Sequence, residues 1–122
     1  MPDYQYFFFL DDNIYDNLFV RIPAEIKTRE ELFSVLSEKL NFPEYFGQNW
    51  DALHDLLRDF SWISQHTVIL AHTDIPLAEP ALQKTYLEIL RDSVSDWKPG
   101  EAHKLVVTFP SSLQRKISEL LG

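Results

Sequence analysis

Short apolar runs alternate along the chain with longer segments whose hydrophobic residues recur every three or four positions. Residues 4–10, YQYFFFL, are aromatic-rich, end in Asp-Asp-Asn, and predict a buried strand followed by a turn. Residues 18–22, LFVRI, predict a second strand, and the two suggest an antiparallel hairpin. Thr28 and Glu31 spell a capping box, and Leu32, Val35, Leu36 and Leu40 continue it at helical spacing. Pro43 sets the limit of that helix. A second helix is predicted over 49–60, with Asn49 as its N-cap. At 100° per residue, Trp50, Leu53, Leu56, Leu57 and Phe60 fall on one side of it. Asp51, His54, Asp55, Arg58 and Asp59 fall on the other.

Residues 67–71, TVILA, form a continuous apolar run and predict a buried strand. Pro80 suits the first position of a helix, which Leu82, Tyr86, Ile89, Leu90 and Trp97 carry to about residue 97. Lys98-Pro99-Gly100 stops it. Residues 104–109, KLVVTF, predict another buried strand. Ser111 and Gln114 make a second capping box for a last helix with Leu113, Ile117, Leu120 and Leu121 on its apolar face. The middle of the chain therefore runs strand, helix, helix, strand, helix, strand. Buried strands joined by helical crossovers imply an α/β fold with a parallel sheet. The N-terminal run would add an antiparallel edge strand. At 122 residues, with no repeats or Gly/Ser linkers, one domain over 1–122 is expected.

Charge narrows the function. The net charge is −8, which disfavours direct nucleic-acid binding, because phosphate recognition needs clustered Lys and Arg. A basic protein partner suits this balance, although acidity also serves solubility. No cysteine is present, so disulfide frameworks and thiolate metal sites are excluded. No apolar run approaches membrane-spanning length, and the N-terminus lacks the pattern of a signal peptide. A cytoplasmic protein, with no membrane association, is the expectation. The four histidines, at 54, 66, 72 and 103, show no metal-ligand spacing, and no cofactor is implied.

Most of the chemistry concentrates in NFPEYFGQNWDALHDLLRDF, residues 41–60. Asp51, Asp55 and Asp59 are spaced four apart, where like charges on a helix repel by roughly 0.2–0.5 kcal/mol per pair. Asp51 lies in the first turn, where the helix dipole favours a carboxylate. Asp55 and Asp59 lie beyond that turn, and Arg58 offers Asp55 an i+3 partner. A solvated acidic face accounts for this pattern. So does a docking face for a basic partner, with Tyr45 and Phe46 as apolar anchors beside the acids.

PEYFGQNWDALHDLL resembles the signature of the barstar family, intracellular inhibitors of a secreted ribonuclease. The matching positions are Pro43, Glu44, Tyr45, Gly47, Asn49, Asp51, Ala52, Leu53, Asp55 and Leu57. Around them, VRIPAEIKT, TVIL and LVVTF fall where the family's three strands lie, so the resemblance covers about 19–109. It implies a three-stranded parallel sheet packed with helices, to which the N-terminal strand and C-terminal helix are additions. It also implies inhibition of a basic, extracellular-type ribonuclease, whose active site the second helix and the segment before it would cover. By position, Tyr45, Phe46, Gly47, Asn49, Asp51, His54 and Asp55 would face that partner. Asp92, in LRDSV, would correspond to a later acidic contact.

Three departures from the family pattern bear on this. His54 replaces a Trp, and acquires charge on acidification, which would weaken docking on a cationic site. Phe46 lacks a hydroxyl. Arg58 replaces a small neutral residue and has the wrong sign for a basic active site. The alternative reading is an acidic interaction module of the same fold with a different protein partner. An enzyme is disfavoured, because Asp51, His54 and Asp55 share one outward face with no separate nucleophile. A monomer is the expected state.

Overall fold

Three short strands, rich in β-branched and apolar residues, pair in parallel to make the sheet. They are β1 (Asn17–Ile22), β2 (Thr67–His72) and β3 (Lys104–Thr108), in the order β1-β2-β3. The computed structural model describes residues 16–44 and 46–122. Parallel neighbours need crossovers, and helices supply them: α1 (Arg29–Leu40) and α2 (Trp50–Leu57) between β1 and β2, α3 (Pro80–Asp96) between β2 and β3. A 3₁₀ turn (Ser111–Leu113) and α4 (Gln114–Leu121) follow β3. The expected α/β sheet is thus observed. The predicted strand at 4–10 and its hairpin lie outside the described residues.

Strand alternation decides what the sheet buries. Val20, Ile22, Val68, Leu70 and Leu105 are buried on one face, with Val20 opposite Leu70 and Val68 opposite Leu105. Leu32, Phe33, Leu36 and Leu40 of α1, Leu53, Leu56 and Leu57 of α2, and Tyr86 and Leu90 of α3 complete the same core.

Helix ends follow local chemistry. The Glu31 amide donates to Thr28 Oγ1 at 3.1 Å, while the Thr28 hydroxyl donates to Glu31 Oε1 at the same distance. The capping box is therefore half made, closed through the hydroxyl. Asn41 ends α1 in the left-handed region, at φ 54°, and the Phe42 amide reaches back to the Ser37 carbonyl at 2.9 Å. Asn41 is thus the terminator, and Pro43 lies just beyond it. The Ser111–Gln114 box expected for the last helix does not form. Ser111 opens the 3₁₀ turn instead, and α4 starts at Gln114 without a side-chain cap.

A buried polar pair fixes the C-terminal end of β2. His72 Nε2 lies 2.8 Å from Tyr86 Oη, and Nδ1 lies 3.2 Å from the Thr108 carbonyl oxygen. The carbonyl requires a donor, so Nδ1 carries the proton and Nε2 accepts from the tyrosine hydroxyl. The ring stacks on Phe109 with centroids 4.2 Å apart. Burial lowers the His72 pKa from 6.5 to about 4 and raises that of Tyr86.

Unfolded His72 takes a proton near pH 6.5, whereas folded His72 stays neutral until about pH 4. The unfolded chain therefore binds more protons in that window, and stability falls as pH drops from 6.5 towards 4. The contribution is on the order of 3 kcal/mol at most. Urea unfolding at pH 7.5 and 4.5 tests this. A His72→Gln chain should lose less stability between the two pH values than the parent, and an equal loss would contradict the assignment.

Candidate functional site

Helix α2 has eight residues, and both of its ends are tied by side chains. At the N-terminus, Asn49 Oδ1 accepts from the Ala52 amide at 2.8 Å, and Asn49 Nδ2 donates to the Gly47 carbonyl at 3.3 Å. A β-carbon on Gly47 would meet Asn49 Nδ2 at 3.2 Å, so the glycine leaves room for the cap. Gln48 between them sits at φ 52°. At the C-terminus, Trp97 Nε1–H donates to the Leu57 carbonyl at 2.9 Å. The helix stops there. Arg58 caps it, and Phe60 turns at φ 52° to bury its ring, stacked 5.7 Å from Trp97. A bulky residue in this backbone region costs on the order of 1 kcal/mol, which the ring's burial offsets. The predicted helix over 49–60 thus runs three residues too far at its C-terminal end. Asp59 is not on it, and accepts instead from the Ser61 hydroxyl at 3.2 Å.

The acidic face is accordingly Asp51, Asp55 and a residue from α3. Asp51 is exposed in the first turn, at the positive end of the helix dipole. Asp55 is more open than Asp96, with three-quarters of its side chain exposed. Its Oδ1 lies 3.3 Å from Arg58 Nη2, and Arg58 Nη1 lies 3.3 Å from Asp96 Oδ2 at the end of α3. One guanidinium thus bridges two carboxylates from two helices. Asp92 is one helical turn before Asp96, exposed, and accepts from Arg91 Nε at 3.1 Å.

His54 lies in a different place from the outward position expected for it. Only 29% of its side chain is exposed, and its Nε2 is shielded in the seam between α2 and α3, 3.8 Å from Asp96 Oδ2. That distance is too long for a hydrogen bond, and Nε2 has no partner among the described residues. Phe46 also differs from its expected role as a free anchor. It is half-buried, edge-on to Phe33 at 5.7 Å and to Phe42 at 4.9 Å, so its ring belongs largely to the core cluster. Tyr45 lies outside the described residues. Trp50 packs inward, edge-on to Phe33 at 5.1 Å.

Asp96 was not singled out from the sequence. Its i+4 spacing from Asp92 was a signal, but its role depends on α3 crossing beside α2, which no local pattern reports. Among the described residues no cluster of three or more His, Cys, Asp or Glu side chains forms a metal cage. None of the described helices is long and apolar enough to cross a membrane.

The site is thus a short, doubly tied helix carrying open carboxylates on a parallel α/β scaffold. The family model for barstar, described as barnase inhibitor, matches residues 18–111. The chain belongs to the barstar family. The match runs from the second residue of β1 through α1, α2, β2, α3 and β3, and stops before α4. No curated protein matches the chain.

Two variants separate what holds α2 from what decorates it. Trp97→Phe keeps an aromatic ring against Phe60 but leaves the Leu57 carbonyl without its donor. It should cost about 1–3 kcal/mol in urea unfolding. Arg58→Ala removes an exposed bridge and should cost under about 1 kcal/mol. The reverse order of losses would show that the salt bridge, rather than the indole, holds the helix.

Proposed function

We propose that the chain is a protein inhibitor of a basic ribonuclease, docking α2 over the enzyme's active site so that carboxylates replace RNA phosphates. The observation that carries this reading is the open pair Asp51 and Asp55 on one exposed face of α2, within the stretch whose sequence resembles the family signature. A nuclease that holds phosphates presents Arg, Lys and His where the backbone of RNA would lie. Rigid carboxylates at matching spacing meet those groups with little ordering cost. Gly47 and Asn49 serve the same docking by setting the start of α2, and Asp92 extends the acid along α3. The target is expected to be a secreted type of ribonuclease, and the inhibitor would act on it inside the cell.

A second reading is favoured by one observation. Arg58 already occupies Asp55 and Asp96, and it presents positive charge inside the acidic face. An acidic interaction module with a partner other than a ribonuclease would tolerate such a residue more easily. The two readings differ in whether a nuclease loses activity.

Inhibition of a guanyl-preferring microbial ribonuclease, measured by RNA cleavage and by growth rescue on co-expression, tests the choice. Asp55→Ala should weaken inhibition roughly tenfold to a hundredfold, since a charge-assisted hydrogen bond contributes about 1.5–3 kcal/mol. Its unfolding stability should hardly change. Unaltered inhibition by this variant would contradict the docking face. Association should also slow steeply with added salt, because complementary charge steers the encounter. A rate insensitive to salt would indicate an apolar contact instead.

The half-shielded His54 adds a pH dependence. Its Nε2 lies 3.8 Å from Asp96 Oδ2, the oxygen that Arg58 also meets, so a charge gained there would bring a second cation to that carboxylate. Binding should weaken from pH 8 to pH 5.5 more in the parent than in His54→Gln, with the partner's own titration measured separately. Identical profiles would remove His54 from the mechanism.

A further inference from the structure

The backbone register identifies which groups of β1 lack a described partner. Asn17 is level with Thr67, and the Thr67 amide donates to the Asp16 carbonyl at 3.1 Å. In a parallel ladder, alternate residues turn both their N–H and C=O to the same neighbour. Leu18, Val20 and Ile22 therefore face β2, and the backbone groups of Asn17, Phe19 and Arg21 point away from it. Among the described residues no strand pairs with that edge. Exposed edges of this kind pair readily with other chains.

The side chains around the edge are also incompletely covered. Phe19 is 56% exposed, with the Arg21 guanidinium 5.5 Å from its ring centroid. It is level with Ile69, and Ile69 with Val106, so an apolar row crosses the outward face of the sheet. A groove of about 210 Å³ follows the edge, lined by Leu18, Phe19, Val20, Arg21 and Lys39.

We propose that residues 4–10 of this same chain occupy that edge as an antiparallel fourth strand. YQYFFFL has seven residues against the six of β1, and both of its alternating rows carry aromatic side chains. One row would continue the core face beside Leu18 and Val20, and the other would lie beside Phe19. Residues 11–15, DDNIY, connect it to the start of β1, and an antiparallel return needs as few as two residues. This tether gives the segment an effective concentration that a second copy of the chain or a foreign strand would have to exceed. The segment thereby closes the edge nearest its own attachment.

Amide exchange followed by NMR on the full chain tests this. The Phe19 and Arg21 amides should exchange about a hundredfold more slowly than in a chain lacking residues 1–10, while Leu18 and Val20 stay protected in both. Phe7→Pro and Phe8→Pro, made separately in the full chain, should include one variant that loses the Phe19 and Arg21 protection, because one of those residues turns its N–H to β1. These variants keep the test valid if the shortened chain does not fold. Free exchange at Phe19 and Arg21 in the parent would overturn the proposal. So would protection that survives the deletion and both proline variants. Protection that disappears on dilution would assign the edge to a second copy and overturn it as well.

Discussion

Helix α2 is too short to persist in water by itself, since isolated helices of fewer than about 12–15 residues are marginal. Its shape depends on the contact between its last carbonyl and Trp97. The indole N–H satisfies the Leu57 carbonyl, and the face of the same indole stacks on Phe60. That one side chain ends the helix, draws the chain into the core, and fixes the end of α3 beside the end of α2. Trp62 performs the same service for α1, donating to the Leu40 carbonyl at 2.9 Å and packing edge-on to Phe60. Two indoles thus satisfy carbonyls that helix termini otherwise leave to water. The acidic face is rigid because its helix is closed at both ends, by Asn49 at one and Trp97 at the other.

This anchoring explains how the charges are arranged. Placing α3 beside α2 brings Asp96 within reach of Arg58, and Arg58 then relieves the repulsion that two neighbouring carboxylates would feel. Asp51, a turn away, is relieved by the helix dipole. Asp55 and Asp96 thus share one cation, Asp51 relies on the helix terminus, and none needs burial. Carboxylates that stay hydrated avoid a desolvation cost until a partner arrives. His72 is the opposite case. It ends β2, is buried neutral, and holds two elements together through Tyr86 and Thr108.

Much of this was legible in the sequence. The strands at β1, β2 and β3 follow from β-branched runs, and α1 and α2 from caps with apolar spacing, because these signals are local. Asn49 as the N-cap of α2, and Asp55 paired with Arg58, were readable for the same reason. The end of α2 was not. Phe60 continues the helical apolar spacing, but the ring reaches the core by leaving the helix, and that choice depends on Trp97, 37 residues later. His54 was misplaced for a related reason. Its angle on a helix wheel points outward, and that angle does not include the neighbouring helix that shields it. Ser111 and Gln114 had the right spacing for a capping box, yet the chain tightens into a 3₁₀ turn there. Capping chemistry permits a helix start without dictating its first residue.

Arg58 is where these two levels meet. It departs from the family pattern, yet its geometry follows from the fold that the family shares. Its side chain is 42% exposed, so its bridges to Asp55 and Asp96 are made at the edge of water. Exposed pairs of this type contribute about 0–1 kcal/mol. A partner guanidinium in a desolvated interface offers Asp55 more than that, at about 1.5–3 kcal/mol for a charge-assisted bond. On the proposed docking that exchange would favour the partner, and releasing Arg58 to solvent would cost little. Arg58 would then be a modest tax on docking rather than a block. It would penalise weakly basic surfaces, which gain too little to displace it, more than strongly basic ones. A cation inside an acidic face can in this way sharpen the choice of partner without changing the sign of the face.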